Sequence, residues 1–228
     1  MNSRMLLLLQ LADSAFPVGG FAYSSGMESA VKHGLVNNEV NIKKYLITFS
    51  QQIFSFDFPF IFSAYNLNLI NLDRPLILTM VESYEAMLLN PPIQKAGEVL
   101  GKNWLKVVNQ IYKSTILDDF ERMSFQLKIS LHFPIIFGIT MKILQFSIVE
   151  TCKLFLYLAV RDQVSSLIRL GVAGPTRAQK ELYAILKELD EELSDFDHVD
   201  YDKAFKTAYL LESAQLNHSR IYSRLFQN

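Results

Sequence analysis

The sequence predicts an all-α fold, a single helical bundle over residues 1–228. Three observations predict it. Apolar residues in the C-terminal half recur at the spacing of one helix face. Glycine is scarce, 9 residues against 17 Phe and 10 Tyr, which suits long elements joined by short connections. Only one stretch alternates as a strand does, and it has no second strand to pair with.

The elements follow in chain order. Residues 1–12, MNSRMLLLLQLA, imitate a signal peptide, with Arg4 ahead of a short apolar stretch. Gln10 interrupts that stretch and no small-x-small cleavage site follows, so the segment reads as a buried first helix. Residues 41–55 continue as helix. At 54–62, FSFDFPFIF, Phe occupies every second position. That is locally a strand pattern, and Pro59 would confine such a strand to an edge. Without a partner strand the stretch is assigned to helix, with Pro59 near a start or kink. Residues 82–112 predict a helix broken at Asn90-Pro91-Pro92. It resumes through Ile93, Ala96, Leu100, Leu105 and Val108, with Lys95, Glu98 and Lys102 facing away.

Residues 129–150, ISLHFPIIFGITMKILQFSIVE, approach bilayer-spanning length. His132, Pro134, Lys142 and Gln145 make a membrane span costly, and the segment reads as a helix buried on most sides of a soluble core. Residues 152–170 are apolar around most of a helix. Gly171 and Gly174-Pro175 end that helix and start another, with Thr176 or Gly174 as N-cap. Leu182, Ile185, Leu186, Leu189 and Leu193 mark one face of the next helix, with Glu181, Lys187, Glu188, Asp190 and Glu191 elsewhere. A last helix is expected over 203–216, through Ala204, Phe205, Ala208, Leu211 and Gln215, capped by Asp200 or Asp202.

Bulk chemistry narrows the function. Apolar residues are 50% and charged residues 20% of the chain, which is not a disordered composition. The formal net charge is -1, so no basic surplus points to nucleic acid. Cys152 is the single cysteine. It excludes an intramolecular disulfide and a multi-thiolate metal site, and fits a reducing, cytoplasmic compartment.

No catalytic or metal motif stands out. PVGGFAYSSG at 17–26 lacks the P-loop spacing and its lysine. Ala22 stands two residues before Ser24, so no G-x-S-x-G elbow forms. The stretch reads as a rigid turn that displays Tyr23, with Gly26 tolerating close packing. Histidines at 33, 132, 198 and 218 form no zinc-type pair. The acidic string from Asp195 to Asp202 fails the EF-hand pattern and reads as a solvated loop. No cofactor is implied. Gln163 and Arg169 lie on an otherwise apolar helix, where Arg169 must find acceptors, either within the fold or on a partner. The tail NHSRIYSRLFQN keeps Ile221, Tyr222, Leu225 and Phe226 beside Arg220 and Arg224. It is either docked into its own fold or held for a partner.

Three separated stretches together resemble the urease accessory protein UreF family. The opening LQLADSAFPVGGFAYSSGMESAV is similar to that family's Leu-Pro-Val-Gly-Gly-Phe-x-Tyr-Ser-x-Gly-Leu-Glu pattern. FLYLAVRDQVSSLIRLGVAGPTRAQ resembles its Asn-Gln-Val-Ser-Ala-Ala-x-Arg-Leu segment, and YSRLFQN its terminal Tyr-Ser-Arg-Leu-Phe-x-Ser. FDFP at 56–59 and HFPIIFG at 132–138 fit weaker patterns in the same order. The resemblance implies an all-α scaffold for nickel insertion into urease, with no catalysis of its own. Its implied partners are a UreD/UreH-type accessory protein, the nickel-carrying GTPase UreG, apo-urease and a second copy of the chain, with no nucleic acid and no membrane. Modulation of GTP hydrolysis is also implied.

Carried over by position, Pro17, Gly19, Gly20, Tyr23, Ser24, Gly26 and Glu28 match the opening motif. Gln163, Arg169, Gly174 and Gln179 match the middle. Tyr222, Ser223, Arg224, Leu225 and Phe226 match the tail, which in the family helps hold the partner complex. Pro175, Ser219 and NPPIQKAG at 90–97 depart from the family pattern, and bear on partner choice more than on fold. Two other readings compete. One is an all-α ligand-binding protein or enzyme using Tyr23 and Ser24. The other is a GTPase-activating protein offering Arg169 or Arg224 in trans.

Overall fold

Six of the seven prolines stand in the first turn of a helix, and for all but Pro59, which follows a π-helical turn directly, the missing N–H costs nothing and the fixed φ is already helical. The computed structural model describes residues 3–37, 39–194, 196–197 and 199–227, and every regular element among them is helical. In order these are α1 (Ser3–Ala12), a 3-10 turn (Gly20–Ala22), α2 (Met27–Lys32) and α3 (Glu39–Gln52). A π-helical turn (Ile53–Asp57) then leads into α4 (Phe58–Asn66). Next come α5 (Arg74–Met87), α6 (Pro91–Tyr112), α7 (Thr115–Leu127), α8 (Phe133–Ile143), α9 (Ile148–Arg169) and α10 (Pro175–Ser194). A 3-10 turn (Tyr201–Lys203), α11 (Tyr209–Asn217) and a last 3-10 turn (His218–Arg220) complete the set.

The alternating phenylalanines are helical, as the missing partner strand required. Residues four apart meet on the helix: Phe54 lies 5.0 Å from Phe58 and Phe56 lies 5.6 Å from Phe60, ring centroid to centroid. All four are buried, because the π turn and the start of α4 are packed nearly all round. Pro59 has no N–H to give the Ser55 carbonyl. That carbonyl instead accepts the backbone N–H of Phe205 at 2.9 Å, and Gln52 Oε1 accepts that of Ala208 at 3.1 Å.

These two bonds explain a departure from expectation. The last helix does not run from 203. A 3-10 turn ends at Lys203, the chain crosses the π turn in extended form, and α11 begins at Tyr209. Phe205 is accordingly 56% exposed. Asp200 caps no helix; it precedes the 3-10 turn, and its carboxylate accepts from Ser63 Oγ at 3.2 Å. Asp202 lies within that turn. Asp195 and His198 of the acidic string lie outside the described residues.

At the centre is α8, buried from Pro134 through Met141. The apolar 129–150 segment is thus two pieces, α8 and the start of α9, joined by a turn that Ser147 and Glu150 close as a reciprocal capping box. Among the described residues no helix is long and apolar enough to cross a membrane. Lys142 is accommodated by the Leu67 carbonyl, which accepts from its Nζ at 2.8 Å. Glycines set how closely the helices approach. A Cβ on Gly138 would lie 2.5 Å from the Ile61 carbonyl oxygen on α4, and one on Gly101 only 1.8 Å from that of Leu131. Trp104 on α6 fills the space between, its Nε1–H donating to Thr140 Oγ1 at 2.7 Å.

Two smaller expectations are corrected. The first helix is present but not buried: Met5, Leu6 and Leu9 are more than half exposed, and Leu11 alone of them is enclosed. A single amphipathic face meets α9, and the other faces solvent. Glu181, placed off the apolar face of α10, is buried at its edge. The start of α10 is as expected, with the Gly174 carbonyl accepting the N–H of Ala178.

Candidate partner-binding site

The opening loop is a tight turn held by its glycines. Gly19 and Gly26 have φ of +96° and +98°, and Ser25 between them is also left-handed at +48°. Such backbone favours glycine. Space is short as well. A Cβ on Gly20 would lie 2.6 Å from Asp162 Oδ2 and one on Gly26 would lie 2.7 Å from Gln215 Cγ. The loop is pinned from outside. Asn103 Nδ2 on α6 donates to the Val18 carbonyl at 2.9 Å. Gln163 Nε2 donates to that of Ser24 at 2.9 Å, and Gln215 Nε2 to that of Ser25 at 3.1 Å. Arg161 donates to the Ala12 carbonyl at 2.5 Å while pairing with Asp162, so α9 clamps the loop at both ends.

Out of this turn rises α2, and Glu28 in its first turn is 1% exposed. A buried carboxylate needs partners, and the end of the chain supplies three. The backbone N–H groups of Leu225 and Phe226 donate to it at 2.7 and 3.1 Å, and His218 Nε2 lies 2.9 Å away. Burial alone would raise the Glu28 pKa. The Leu225 N–H, His218 and the Phe226 N–H outweigh it and hold the group below its ordinary value.

Arg169 makes the second junction. Its guanidinium lies 3.8 Å from the centroid of the Phe21 ring and 4.0 Å from that of Phe226, and it donates to the Phe21 carbonyl. A planar cation between two rings is a favourable stack. The tail then runs along the turn, Gln227 N–H donating to the Ala22 carbonyl at 3.0 Å.

The structure thus brings the opening, middle and tail motifs to one place. The tail is docked, through Phe226 and the backbone at Leu225, while Tyr222, Ser223, Arg224 and Leu225 face solvent. Pro17 and Gly19 are exposed on the loop. Tyr23 is not the displayed aromatic. It is half-buried, and Phe21 projects instead, 65% exposed. A 3-10 turn over Gly20–Ala22 rotates the side chains, and single-residue spacing does not reveal that rotation. Ser24 is fully buried and its Oγ accepts the Glu28 N–H at 3.4 Å. Gly174 and Gln179 are exposed at the start of α10, outside the two junctions. Phe21 and His218 are the residues that motif reading missed. Glu28 was legible only as a match to the opening motif, which gave no sign that its hydrogen-bond partners lay in the tail.

Behind the loop lies a cavity of about 750 Å³, lined by Phe16, Tyr23, Trp104, Asp162 and Gln163 among others. Ser24 does not line it. Arg169 is committed to its two rings, and of the two arginines considered as trans-acting groups only Arg224 is exposed.

Residues 36–186 match the family model described as UreF. Among curated proteins, the chain is 27% identical over 219 residues to urease accessory protein F of Oryza sativa subsp. indica, covering 95% of this chain and 82% of the relative. It is 23% identical over 222 residues to urease accessory protein UreF of Actinobacillus pleuropneumoniae, covering 97% of each. It is 26% identical over 236 residues to an uncharacterized UreF-like urease accessory protein of Schizosaccharomyces pombe, covering 97% of this chain and 96% of the relative.

Proposed function

The chain belongs to the UreF family, and on that premise we propose that it is a non-catalytic scaffold of nickel insertion into urease. It binds a UreD/UreH-type accessory protein and recruits the nickel-carrying GTPase UreG to apo-urease, modulating GTP hydrolysis there. It works in the cytoplasm and as a homodimer. The relatives' names as urease accessory proteins support the urease role. The observation that carries the scaffold reading is the joining of the three motifs at Glu28 and Arg169. A fold that spends a buried, hydrogen-bonded carboxylate and a stacked guanidinium on fixing its own tail presents that tail in one orientation. Around the fixed point Phe21, Tyr222, Arg224 and Leu225 are exposed, and aromatic and Arg anchors of this kind dominate binding energy at protein interfaces. The specific partners are implied by family membership.

The serine-nucleophile reading loses its support, because a fully buried hydroxyl facing a helix N-terminus meets no substrate. The cavity near Tyr23 keeps open the binding of a small molecule, which belongs to a different class of function from the exposed tail.

The test is co-expression with UreD-type and UreG-type proteins followed by size-exclusion chromatography with light scattering. Tyr222→Ala combined with Arg224→Ala is the informative variant. Both side chains are exposed, so folding is spared, whereas deleting 219–228 strips two of the three partners from buried Glu28. Loss of the complex with an unchanged helical signal supports the scaffold reading, and an intact complex overturns the tail assignment.

A further inference from the structure

A second cluster lies away from the tail, where α5, α6 and the turn before α8 meet. One carboxylate oxygen from each of Glu85 and Glu98 and one ring nitrogen of His132 all lie within 4.8 Å of one another. His132 Nε2 is 3.0 Å from Glu85 Oε1. Three elements contribute one group each, so the set is made by the fold and not by a run of acids on one helix.

The turn that carries His132 is seated by glycine. Gly101 lets the Leu131 carbonyl approach α6 to a distance no Cβ would permit, and Gly97 leaves open the space 3.5 Å from His132 Nδ1. As a result His132 is fully buried. Its Nδ1 finds no hydrogen-bond partner among the described residues, so Nε2, against Glu85, is the ring's one polar contact there. The carboxylates keep a path to solvent, their side chains being 31% and 18% exposed. Among the described residues Glu98 pairs with the exposed Lys95, at 3.1 Å, and with Ser130 Oγ at 3.4 Å. An exposed pair of that kind is readily given up.

We propose that Glu85, Glu98 and His132 form a binding site for a first-row divalent transition-metal ion. An imidazole with two carboxylates suits ions that accept both nitrogen and oxygen, such as Zn²⁺, Ni²⁺, Co²⁺ and Mn²⁺. Ligand atoms about 2.1 Å from one ion stand roughly 3 to 4.2 Å apart, so rotation of the partly exposed Glu98 carboxylate closes the set. On binding, the neutral ring carries its proton on Nδ1, so that the Nε2 lone pair faces the ion. Water completes the coordination from the open side. The inference stands apart from the scaffold reading, since it concerns this chain alone.

The experiment is calorimetric titration of the full chain with the chlorides of Zn²⁺, Ni²⁺, Co²⁺ and Mn²⁺, with the visible absorption of bound Co²⁺ as a second readout. One ion per chain is expected for at least one metal. Glu85→Gln with Glu98→Gln should weaken it by roughly 10- to 100-fold and remove the Co²⁺ bands. Glu98→Gln alone, an isosteric change at a partly exposed position that spares the fold, should weaken binding roughly tenfold. Absence of heat and of Co²⁺ bands at about 1 mM metal overturns the site. So does an affinity unchanged in Glu98→Gln and in the double variant, which would put the ion on other histidines.

Discussion

Glu28 and Phe226 stand 198 residues apart in sequence and are joined by a hydrogen bond of 3.1 Å from the Phe226 backbone to a buried carboxylate. With the Leu225 N–H and His218 on the same carboxylate, one side chain in the first turn of α2 fixes the last residues of the chain. Glu28→Ala leaves two backbone donors and a buried imidazole without an acceptor. It should destabilise the protein by about 3 kcal/mol and free the tail. Urea denaturation reads the first effect, and amide exchange at Leu225 and Phe226 the second. Unchanged protection at both amides would mean that the tail is held by other contacts.

Two carboxylates should shape the pH dependence in opposite directions. Glu28 is held below its ordinary value, so in the folded state it releases its proton at lower pH than in the unfolded state. Its contribution is present above the unfolded value near 4.5 and is lost as pH falls through the folded one. Asp57 behaves in reverse. Burial pushes it up from 3.8 to about 7, against the Tyr84 hydroxyl and Lys206, which favour the charged form. Between these values the folded state holds a proton that the unfolded state has lost, so stability declines as pH rises from about 4 to 7. Asp57→Asn should flatten that decline in denaturant midpoints measured from pH 4.5 to 8. An equally steep decline in the variant would assign the effect to other groups.

Glycine substitutions should separate close approach from open space. Gly101→Ala and Gly138→Ala drive a methyl into backbone oxygens at 1.8 and 2.5 Å. Each should cost about 3 kcal/mol or prevent folding, since backbone cannot rotate out of the way. Gly174→Ala meets nothing within 4 Å and should stay within about 0.5 kcal/mol of the parent. Thermal melts of the three variants give the comparison.

Arg169→Lys keeps the charge and loses the plane. An ammonium cannot stack on Phe21 and Phe226 together, so a loss of about 1 kcal/mol is expected. Arg169→Ala should lose little more if stacking is the main term. A lysine variant as stable as the parent would make the charge, and not the stack, the important feature.

The sequence by itself determined the class of the fold and where several of its helices start. Proline in first turns, apolar periodicity and the lack of a partner strand are local signals, and they placed the break at 90–92, a helix start near Gly174-Pro175 and the helical character of 54–62. It also carried the family likeness, through three short stretches. Only the tertiary structure decided what those stretches do for one another. The Ser55 carbonyl left free by Pro59 captures Phe205 and moves the start of α11, a bond between segments 150 residues apart that no periodicity encodes. The turn at 20–22 faces Phe21 outward instead of Tyr23, because a 3-10 step and left-handed glycines redirect side chains by angles that spacing does not carry. Glu28 meets His218, and Glu85 and Glu98 meet His132, by the packing of separate helices. Local rules act within a turn or two, whereas a buried charge is satisfied by whatever the whole fold brings to it.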